Sequence, residues 1–401
     1  MKRFHPQLGL TLVFLGIIAA MPLIQVVVEV SRGELPKALR VFKRIPTAAN
    51  LRAYDRSLED ANWVSAKLRP WAQYVQFAWL KDGGEKALIG RDGWLFYGPG
   101  VQYVTDRPGV HRPTTTAEDV EAAVIDLRNQ LALRGIQLLV MPMPNKESVY
   151  PEKLTRRAAG QSGALSPETR ELMIRLKDAG VEVVDLFELF TTRKATETSL
   201  AAPLYLTRDS HWSPAGVELA ARAVARLVLE HNWVKPGSVP YEIKSSPVKR
   251  VGDILHMLQM PGLEVEELAE QTPCSQVVRG DTGQPYRDEI SSEILVLGDS
   301  FLRIYQTDEP GAGGFIAHLA HELRQPVTSI VNDGGASTLV RQELSRRPTW
   351  LANKKVVIWE FVERDIRLGT EGWQHIPLPA TTAQTLQSQG ALITSLTSGM
   401  K

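Results

Sequence analysis

The chain has 401 residues, with 46 lysines and arginines against 45 aspartates and glutamates, and a formal net charge of +1 at pH 7. Such a chain has no basic surplus to neutralise phosphates, which argues against nucleic acid as a partner. Its single cysteine, Cys274, excludes an internal disulfide, and its eight histidines show no metal-binding spacing. We therefore predict a globular protein of two or three structural units without a metal site.

The N-terminal segment predicts a membrane anchor. Lys2 and Arg3 precede a largely apolar run, residues 8–28, which is long enough to cross a bilayer as a helix. Positive residues on this side predict that residues 1–7 stay in the cytoplasm and that the rest is exported. A cleaved signal peptide is the alternative, with the alanines at 19–20 as candidates for the cleavage site. Because the apolar run continues past them, we expect an uncleaved inner-membrane anchor and, in a bacterium, a following chain that lies in the periplasm.

The chain beyond the anchor changes character twice. Residues 29–85 are basic and polar at first and then mixed helical, which predicts a stalk or helical linker. Residues 86–377 show helical stretches between short apolar runs, the pattern of an α/β domain. Within that domain, residues 234–290 lack this rhythm and are predicted to be an insertion. Residues 378–401, rich in Thr, Gln, Ser and Ala, are predicted to be a C-terminal tail.

Short apolar runs are the predicted strands of the α/β region. They alternate with helical stretches, two of which carry start signals, at Ser166-Pro167 and Ser213-Pro214. Alternation of strands and helices predicts a parallel sheet covered by helices on both faces. The predicted strands are residues 136–141, 181–186, 294–297, 326–331 and 355–361.

The run 294–297 leads directly into Gly-Asp-Ser, which ends at Ser300. The glycine lets the chain turn sharply, and Ser300 then lies at the carboxyl end of a buried strand, where open α/β sheets place their ligands. A serine there can act as a nucleophile if a histidine and a carboxylate reach it. Asp209 and His211 offer such a pair, since a spacing of two puts both side chains on one side of an extended segment. The alternative is structural: Asp209 caps the helix near Ser213, and Ser300 caps the helix that follows it.

Together these motifs resemble a known family. Gly298-Asp299-Ser300 with Asp209-x-His211-Trp212 is similar to the SGNH hydrolase-like O-acetyltransferases of bacterial exopolysaccharides, the alginate acetylation proteins AlgJ and AlgX. In ordinary SGNH hydrolases the serine block comes first, whereas here it follows the Asp/His block, which resembles a circular permutation of that fold. The N-terminal anchor is closer to AlgJ. The resemblance covers roughly residues 85–365, and the further blocks that fit it are Ile89–Tyr97, Pro142–Lys146 with Tyr150-Pro151, and Val251–Leu258.

The resemblance implies an O-acetyltransferase with Ser300 as nucleophile, His211 as base and Asp209 as the residue that orients the imidazole. It implies no cofactor, because a membrane-bound O-acyltransferase would supply the acetyl donor. The acceptor would be a hydroxyl group of an exported polysaccharide such as alginate.

Five further residues are candidates for the site. The tetrahedral intermediate needs an oxyanion hole, for which Asn332 and Gly334, after the next predicted strand, are candidates beside the backbone N–H of the nucleophile. Lys146 and Arg364 are candidates for binding an anionic sugar, and Trp212, next to the base, for lining a sugar groove. The alternative for Asn332 and Gly334 is a plain strand-to-helix turn. The alternative for Lys146 and Arg364 is that they are surface charges.

Two other functions remain open at this point. An esterase would use the same three residues and release the acyl group to water instead of a sugar hydroxyl. A non-catalytic scaffold of a polymer-export complex would use the fold only to bind glycan. An acetyl-ester assay separates the scaffold from the two enzymes, and competition between water and sugar as acceptors separates the enzymes from each other.

Overall fold

The computed structural model describes residues 6–43, 45, 47–106, 115–161, 165–196, 202–258 and 268–379. The chain divides into two compact units. One comprises Met1–Gly83 with Leu258–Val265, and the other comprises Gly84–Met257 with Glu266–Lys401. Most of the predicted cytoplasmic segment 1–7 and nearly all of the predicted tail lie outside the described residues.

The first unit is built from helices in the part that the structure describes. Its first helix contains Gly9–Ser31, a 23-residue segment that is apolar and long enough to cross a membrane and has most of its large apolar side chains exposed. This segment overlaps the predicted anchor, residues 8–28. The helices are α1 (Pro6–Ser31), a short 3-10 helix (Lys37–Lys43), α2 (Ala48–Ala61) and α3 (Trp63–Ala78).

The second unit is an α/β domain. Its strands are β1 (Ala87–Ile89), β2 (Leu95–Tyr97), β3 (Gln137–Met143), β4 (Glu182–Val183), β5 (Tyr241–Ser245), β6 (Val248–Arg250), β7 (Glu270–Thr272), β8 (Ser275–Arg279), β9 (Ile294–Gly298), β10 (Thr328–Val331) and β11 (Val356–Val362). Its helices are α4 (Gly98–Thr105), α5 (Ala117–Ala132), α6 (Lys146–Val149), α7 (Pro151–Leu154), α8 (Pro167–Asp178), α9 (Leu186–Ala195), α10 (Pro214–Glu230), α11 (Asp253–Met257), α12 (Ser300–Arg303), α13 (Phe315–Leu323), α14 (Leu339–Arg346) and α15 (Asp365–Leu368).

Five strands form the central sheet, in the order β10-β9-β11-β3-β4, and every neighbouring pair is parallel. They arise from the five predicted strands, so the predicted parallel sheet is confirmed. Side chains of β9 alternate between two cores: Ile294 and Val296 contribute to one, Leu295 and Leu297 to the other. Helices α10 and α13 pack in the first core, and α5, α8 and α14 in the second. A strand covered on both faces requires a continuous apolar run, which β9 has.

The strand order puts β9 at a switch point of the sheet. The chain continues from β9 to β10 on one side, whereas β11, which comes last, lies on the other side. In open parallel sheets, ligands bind at the carboxyl ends of the strands at such a point. β9 ends at Gly298, where a Cβ atom would lie 2.3 Å from Glu360 Oε2, so only glycine fits this close approach. Asp299 then caps α12, whose first residue is Ser300.

The predicted insertion, residues 234–290, forms two antiparallel ribbons, β5 with β8 and β6 with β7. Its described part packs into the rest of the domain, because Val277 and Tyr286 are buried in the same core as Val296. Strand β6 ends at Arg250, which contacts the loop that carries Asp209. The ribbons therefore contribute to the edge of the sheet where Ser300 lies.

Candidate active site

Asp209 and His211 lie in a tight loop before α10. Tyr205 and Trp212 close the loop through an isolated antiparallel bridge. Ser213 ends it by capping α10, and its hydroxyl accepts a hydrogen bond from a backbone N–H of the first turn at 3.4 Å. The helix cap that the sequence suggested is thus made by Ser213, which leaves the carboxylate of Asp209 for another partner.

His211 joins Asp209 to Ser300. Its Nδ1 lies 2.7 Å from Asp209 Oδ1, and its Nε2 lies 2.9 Å from Ser300 Oγ. Asp209 and His211 are buried, and Ser300 is half-buried. The tautomer with its hydrogen on Nδ1 donates to Asp209, which leaves Nε2 free to accept the hydroxyl hydrogen of Ser300. The structure thus brings the three residues together in the arrangement that can activate a serine hydroxyl as a nucleophile.

Comparison with known proteins identifies the family. A family model described as SGNH hydrolase-like domain, acetyltransferase AlgX, matches residues 87–363, well over half of the chain. The chain belongs to this family. It is 25% identical over 309 residues to the "Probable alginate O-acetylase AlgJ" of Pseudomonas putida, and 24% identical over 310 residues to that of Azotobacter vinelandii, with 73% of each chain covered in both cases.

A solved structure shares the fold. The O-acetyltransferase domain of Pseudomonas putida AlgJ superposes with a TM-score of 0.52 at 21% identity, over 70% of this chain and 91% of that chain. The resemblance to the AlgX acetyltransferase family, first carried by short motifs, is confirmed by these findings. The SGNH hydrolase-like fold is confirmed with it.

In this member of the AlgX family, Asp209 is held by four donors. Its Oδ1 accepts from the imidazole and from the backbone N–H of His211 at 3.0 Å. Its Oδ2 accepts from Arg250 Nε at 3.0 Å and from the backbone N–H of Asp253 at 3.1 Å. A Cβ atom on Gly252 would lie 2.1 Å from a carbonyl oxygen of the loop, so only glycine allows Asp253 to approach so closely. These bonds leave the carboxylate one position and one orientation.

Asp253 adds a second carboxylate beside the imidazole. Its Oδ2 lies 3.5 Å from His211 Nδ1, and its carboxylate accepts from both the backbone N–H and the hydroxyl of Ser210. Asp209, His211 and Asp253 also bring potential metal-ligand atoms within 4.8 Å of one another. Because the Arg250 guanidinium already donates to the carboxylate of Asp209, we interpret these three residues as a hydrogen-bonded network.

Charges around the imidazole favour its protonated form. Burial by itself would lower the pKa of His211, but the carboxylates of Asp209, Asp253 and Asp299 raise it above its usual value. Burial would raise the pKa of Asp209, whereas the positive charges of His211 and Arg250 and the bonds to Asp209 lower it below its usual range. Asp209 therefore stays ionised, and a carboxylate in this position stabilises the protonated form of the imidazole.

Trp212 is part of the core and does not line an open groove. Its side chain is fully buried, and its Nε1–H donates to the Phe301 carbonyl at 3.0 Å. Its ring stacks on Phe315 with centroids 5.8 Å apart. The expectation that Trp212 lines a sugar groove does not fit this position. Instead, Trp212 fixes the loop of His211 against α12, which begins with Ser300.

Lys146 is also inside the protein and is not a surface charge. It is 3% exposed, and its Nζ donates to the backbone carbonyls of Leu95 at 2.6 Å, Thr207 at 2.8 Å and Asp209 at 3.0 Å. Burial lowers the pKa of Lys146 to about 7, although nearby carboxylates oppose this shift. All three donors of the ammonium group bind the protein itself, which excludes the expected contact with an anionic sugar. The residue ties strand β2 to the loop of the site.

Replacing Lys146 by methionine is expected to lower the free energy of unfolding by about 3 kcal/mol, because the buried carbonyls of Leu95 and Asp209 lose the donor that Lys146 supplies. The Thr207 carbonyl keeps its bond from the Leu95 N–H. Denaturant unfolding followed by tryptophan fluorescence measures the change. The matched control is Lys153→Met. Its ion pair with Asp92, 2.7 Å long, is exposed and screened by solvent, so we expect its loss to leave the unfolding midpoint nearly unchanged. Equal midpoints for Lys146→Met and the unchanged protein would contradict this role.

Asn332 and Gly334 lie in the turn after β10. The Asn332 N–H donates to the Gly298 carbonyl at 3.0 Å, which extends the pairing of β10 with β9. Gly334 is exposed and has a φ of 80°, which favours glycine. The strand-to-helix turn considered as the alternative is therefore present. It lies beside the end of β9, and Arg303 of α12 pairs with the intervening Asp333 at 2.7 Å.

Arg364, just beyond β11, is surrounded by the protein's own acidic groups. Its guanidinium lies over the ring of Tyr97, with Cζ 5.1 Å from the centroid. Burial would lower the pKa of Arg364, but Asp365, Asp299, Tyr97 and Glu147 raise it. These groups favour the charged form of the Arg364 guanidinium, and one of them, Asp299, directly precedes Ser300.

Two buried glutamates at the end of β11 support the site, and sequence reasoning missed both. Glu360 accepts the backbone N–H of Asp299 at 3.0 Å, and burial together with the Asp299 charge raises the pKa of Glu360 well above its usual value. Glu363 accepts from the Asn145 N–H at 3.0 Å and the Ser148 hydroxyl at 2.6 Å. A glutamate inside an apolar strand was the available signal, because such a residue needs a buried partner.

Proposed function

We propose that this protein is an O-acetyltransferase that acetylates hydroxyl groups of an exported bacterial exopolysaccharide of the alginate type. The observation that carries the proposal is the contact of His211 with both Asp209 and Ser300 in a chain of the AlgX acetyltransferase family. Relatives named alginate O-acetylase support alginate as the kind of acceptor.

In the proposed reaction Ser300 carries the acetyl group. His211 Nε2 takes the hydroxyl proton as Oγ attacks the acyl carbonyl of the donor, and then gives that proton to the leaving group. Asp209 holds the imidazole and stabilises its charged form. A sugar hydroxyl next attacks the acyl-serine and gives its proton to His211. His211 returns that proton to Ser300 Oγ as the bond between Oγ and the acyl carbon breaks, so that the sugar ester forms and Ser300 is restored. These reaction steps need no cofactor.

The oxyanion of each tetrahedral intermediate needs preorganised donors. We assign the backbone N–H of Ser300 as one of them, because the first N–H groups of a helix have no acceptor within it. Asn332 and Gly334 beyond β10, together with Arg364 beyond β11, are our candidates for completing the hole or binding the acceptor. Their support is their position at the carboxyl ends of the two strands that flank β9.

We also propose a location for the reaction. The helix α1 is compatible with anchoring in the inner membrane, and Lys2 and Arg3, which precede it in the sequence, favour a periplasmic position for the catalytic domain. There the domain meets an exported polymer. A membrane-bound O-acyltransferase is the proposed partner that supplies the acetyl donor.

The test is acceptor competition. The full-length protein in detergent is incubated with a chromogenic acetyl ester and alginate oligosaccharides, and mass spectrometry then measures acetyl groups on the sugar beside released acetate. We expect slow hydrolysis alone and diversion of acetyl groups onto alginate when it is present. A neutral oligosaccharide serves as the control acceptor. Acetate alone with every polymer supports the esterase, and no turnover of the ester supports the scaffold.

The pH dependence of kcat/KM tests the effect of Asp253, the second carboxylate beside His211. Because His211 must be neutral to act as a base and its pKa is raised, kcat/KM is expected to fall on the acid side with a midpoint above the ordinary histidine value of about 6.5. Asp253→Asn removes a negative charge that raises this pKa, so the midpoint should move to lower pH. Asp333→Asn, an exposed partner of Arg303, is the control and should leave the midpoint unchanged. An unchanged midpoint in Asp253→Asn would refute the role of Asp253 in raising the pKa of His211.

A further inference from the structure

An apolar stripe runs along α3 in the first unit. Leu68, Trp71 and Val75 are 58, 58 and 41% exposed, and Trp79, the residue that ends the helix, is 79% exposed. At 3.6 residues per turn, these four positions fall within an arc of about 80°. A face of this size, containing two tryptophans, is unusual on a helix that meets only water.

Basic residues border the stripe. Lys67 and Arg69 lie about 100° to either side of Leu68 on the helix, and Trp63–Ala78 contains no aspartate or glutamate. A helix with an apolar, tryptophan-containing face and basic residues at its borders is typical of helices that lie in the membrane interface. Long basic side chains there extend to the phosphate groups, while their stems lie on apolar surface.

The position of α3 relative to α1 supports the same environment. The backbone N–H of Trp63 donates to Gln25 Oε1 at 2.8 Å, and the two helices pack together. Gln25 lies six residues before Ser31, the end of α1, which is about 9 Å along the axis. With residues 8–28 across the membrane, Gln25 lies three residues, or about 4.5 Å, inside the outer boundary of the hydrocarbon core. This is about the depth to which interfacial helices bury their apolar face.

The chain between the two helices turns back towards α1. Glu29, 4% exposed, accepts from Gln25 Nε2 and from the backbone N–H of Lys37, each at 2.8 Å. These bonds hold the start of the segment 29–85, predicted as a stalk or linker, against the end of α1. The helices that follow are thus kept near the C-terminal end of α1.

We propose that α3 lies in the outer interface of the membrane that α1 crosses, with the stripe of Leu68, Trp71, Val75 and Trp79 in the lipid. The occupant of this face is the boundary between headgroups and acyl chains. The inference rests on the membrane anchoring proposed above. It gives the first unit a second, lateral attachment to the bilayer.

Spin labels at matched positions test the proposal in the full chain. The protein, with Cys274→Ala, is reconstituted in vesicles of phosphatidylethanolamine and phosphatidylglycerol and labelled at Val75→Cys. Ala66→Cys is the control, because this exposed position lies nine residues away, on the opposite face of the helix. Leu15→Cys, in the middle of α1, reports the anchor. Electron paramagnetic resonance then compares collisions with oxygen, which concentrates in lipid, and with a water-soluble nickel chelate.

We expect the Val75 and Leu15 labels to favour oxygen severalfold and the Ala66 label to favour nickel. Nickel access at Val75 with oxygen access at Leu15 would overturn the interface proposal and leave the anchor in place. Low access to both reagents at Val75 would mean that a protein covers the stripe and would also overturn it. Nickel access at all three positions would refute the anchoring and this inference together.

Discussion

Ser300→Ala is expected to lower acetyl transfer by about 10⁴-fold or more, the scale seen when a triad nucleophile is removed. In the proposed mechanism Ser300 Oγ carries the acetyl group after His211 Nε2, 2.9 Å away, removes its proton. Alanine removes one oxygen atom from a half-buried position, so the fold and the free energy of unfolding should change little.

The measurement is transfer to alginate oligosaccharide and hydrolysis of a chromogenic acetyl ester. Ser345→Ala is the matched control, because its hydroxyl only donates to the Pro377 carbonyl at the surface. The double variant Ser300→Ala/His211→Ala should be hardly slower than either single variant, since residues that act as a unit have non-additive effects. Near-normal activity in Ser300→Ala would refute the mechanism.

Asp209→Asn is expected to lower kcat by about 10³–10⁴-fold with little change in the fold. All four partners of this carboxylate are donors: the imidazole and the backbone N–H of His211, Arg250 Nε and the Asp253 N–H. An asparagine must turn its NH₂ group towards one pair of them. When that pair includes the imidazole, the histidine hydrogen shifts to Nε2, and the base can no longer accept the serine proton.

The control for Asp209→Asn is Asp308→Asn, which removes the same charge from the outer side of Arg250. We expect that change to cost less than tenfold, because Asp308 does not contact the imidazole. Arg250→Lys should lie between the two variants, since lysine keeps the charge but not the arginine geometry. Activity of Asp209→Asn within tenfold of the unchanged protein would contradict the orienting role.

The fold was predictable because its signals are local. Each strand of the central sheet is a short apolar run, and burial on both faces of a parallel sheet is what such a run requires. The Ser213-Pro214 start of α10 is visible for a similar reason, since a cap and a first-turn proline act within one turn. The antiparallel ribbons in residues 234–290 were not predicted, because their pairing joins segments with little apolar alternation, as in β6 with β7.

The candidate site was predictable only where its residues are close to one another in the chain or follow a strand that can be recognised. Asp209 and His211 are two positions apart, so their geometry follows from the local chain, and Ser300 follows a strand whose end is readable. The Val251–Leu258 block was marked by resemblance alone. Nothing in it indicates the contact of Asp253 with Asp209, which is 44 residues away along the chain.

The five strands, the apolar N-terminal segment and the residue types able to activate a serine can be read from the amino-acid sequence. The partners of the polar side chains cannot, because burial depends on segments that are distant in the chain. Lys146 was a candidate for binding an anionic sugar, but its ammonium group donates to three backbone carbonyls of the protein. Trp212 was a candidate for lining a sugar groove, but it is buried against Phe301 and Phe315. A buried polar group must be satisfied by whatever the fold brings to it, and local pattern does not contain that partner.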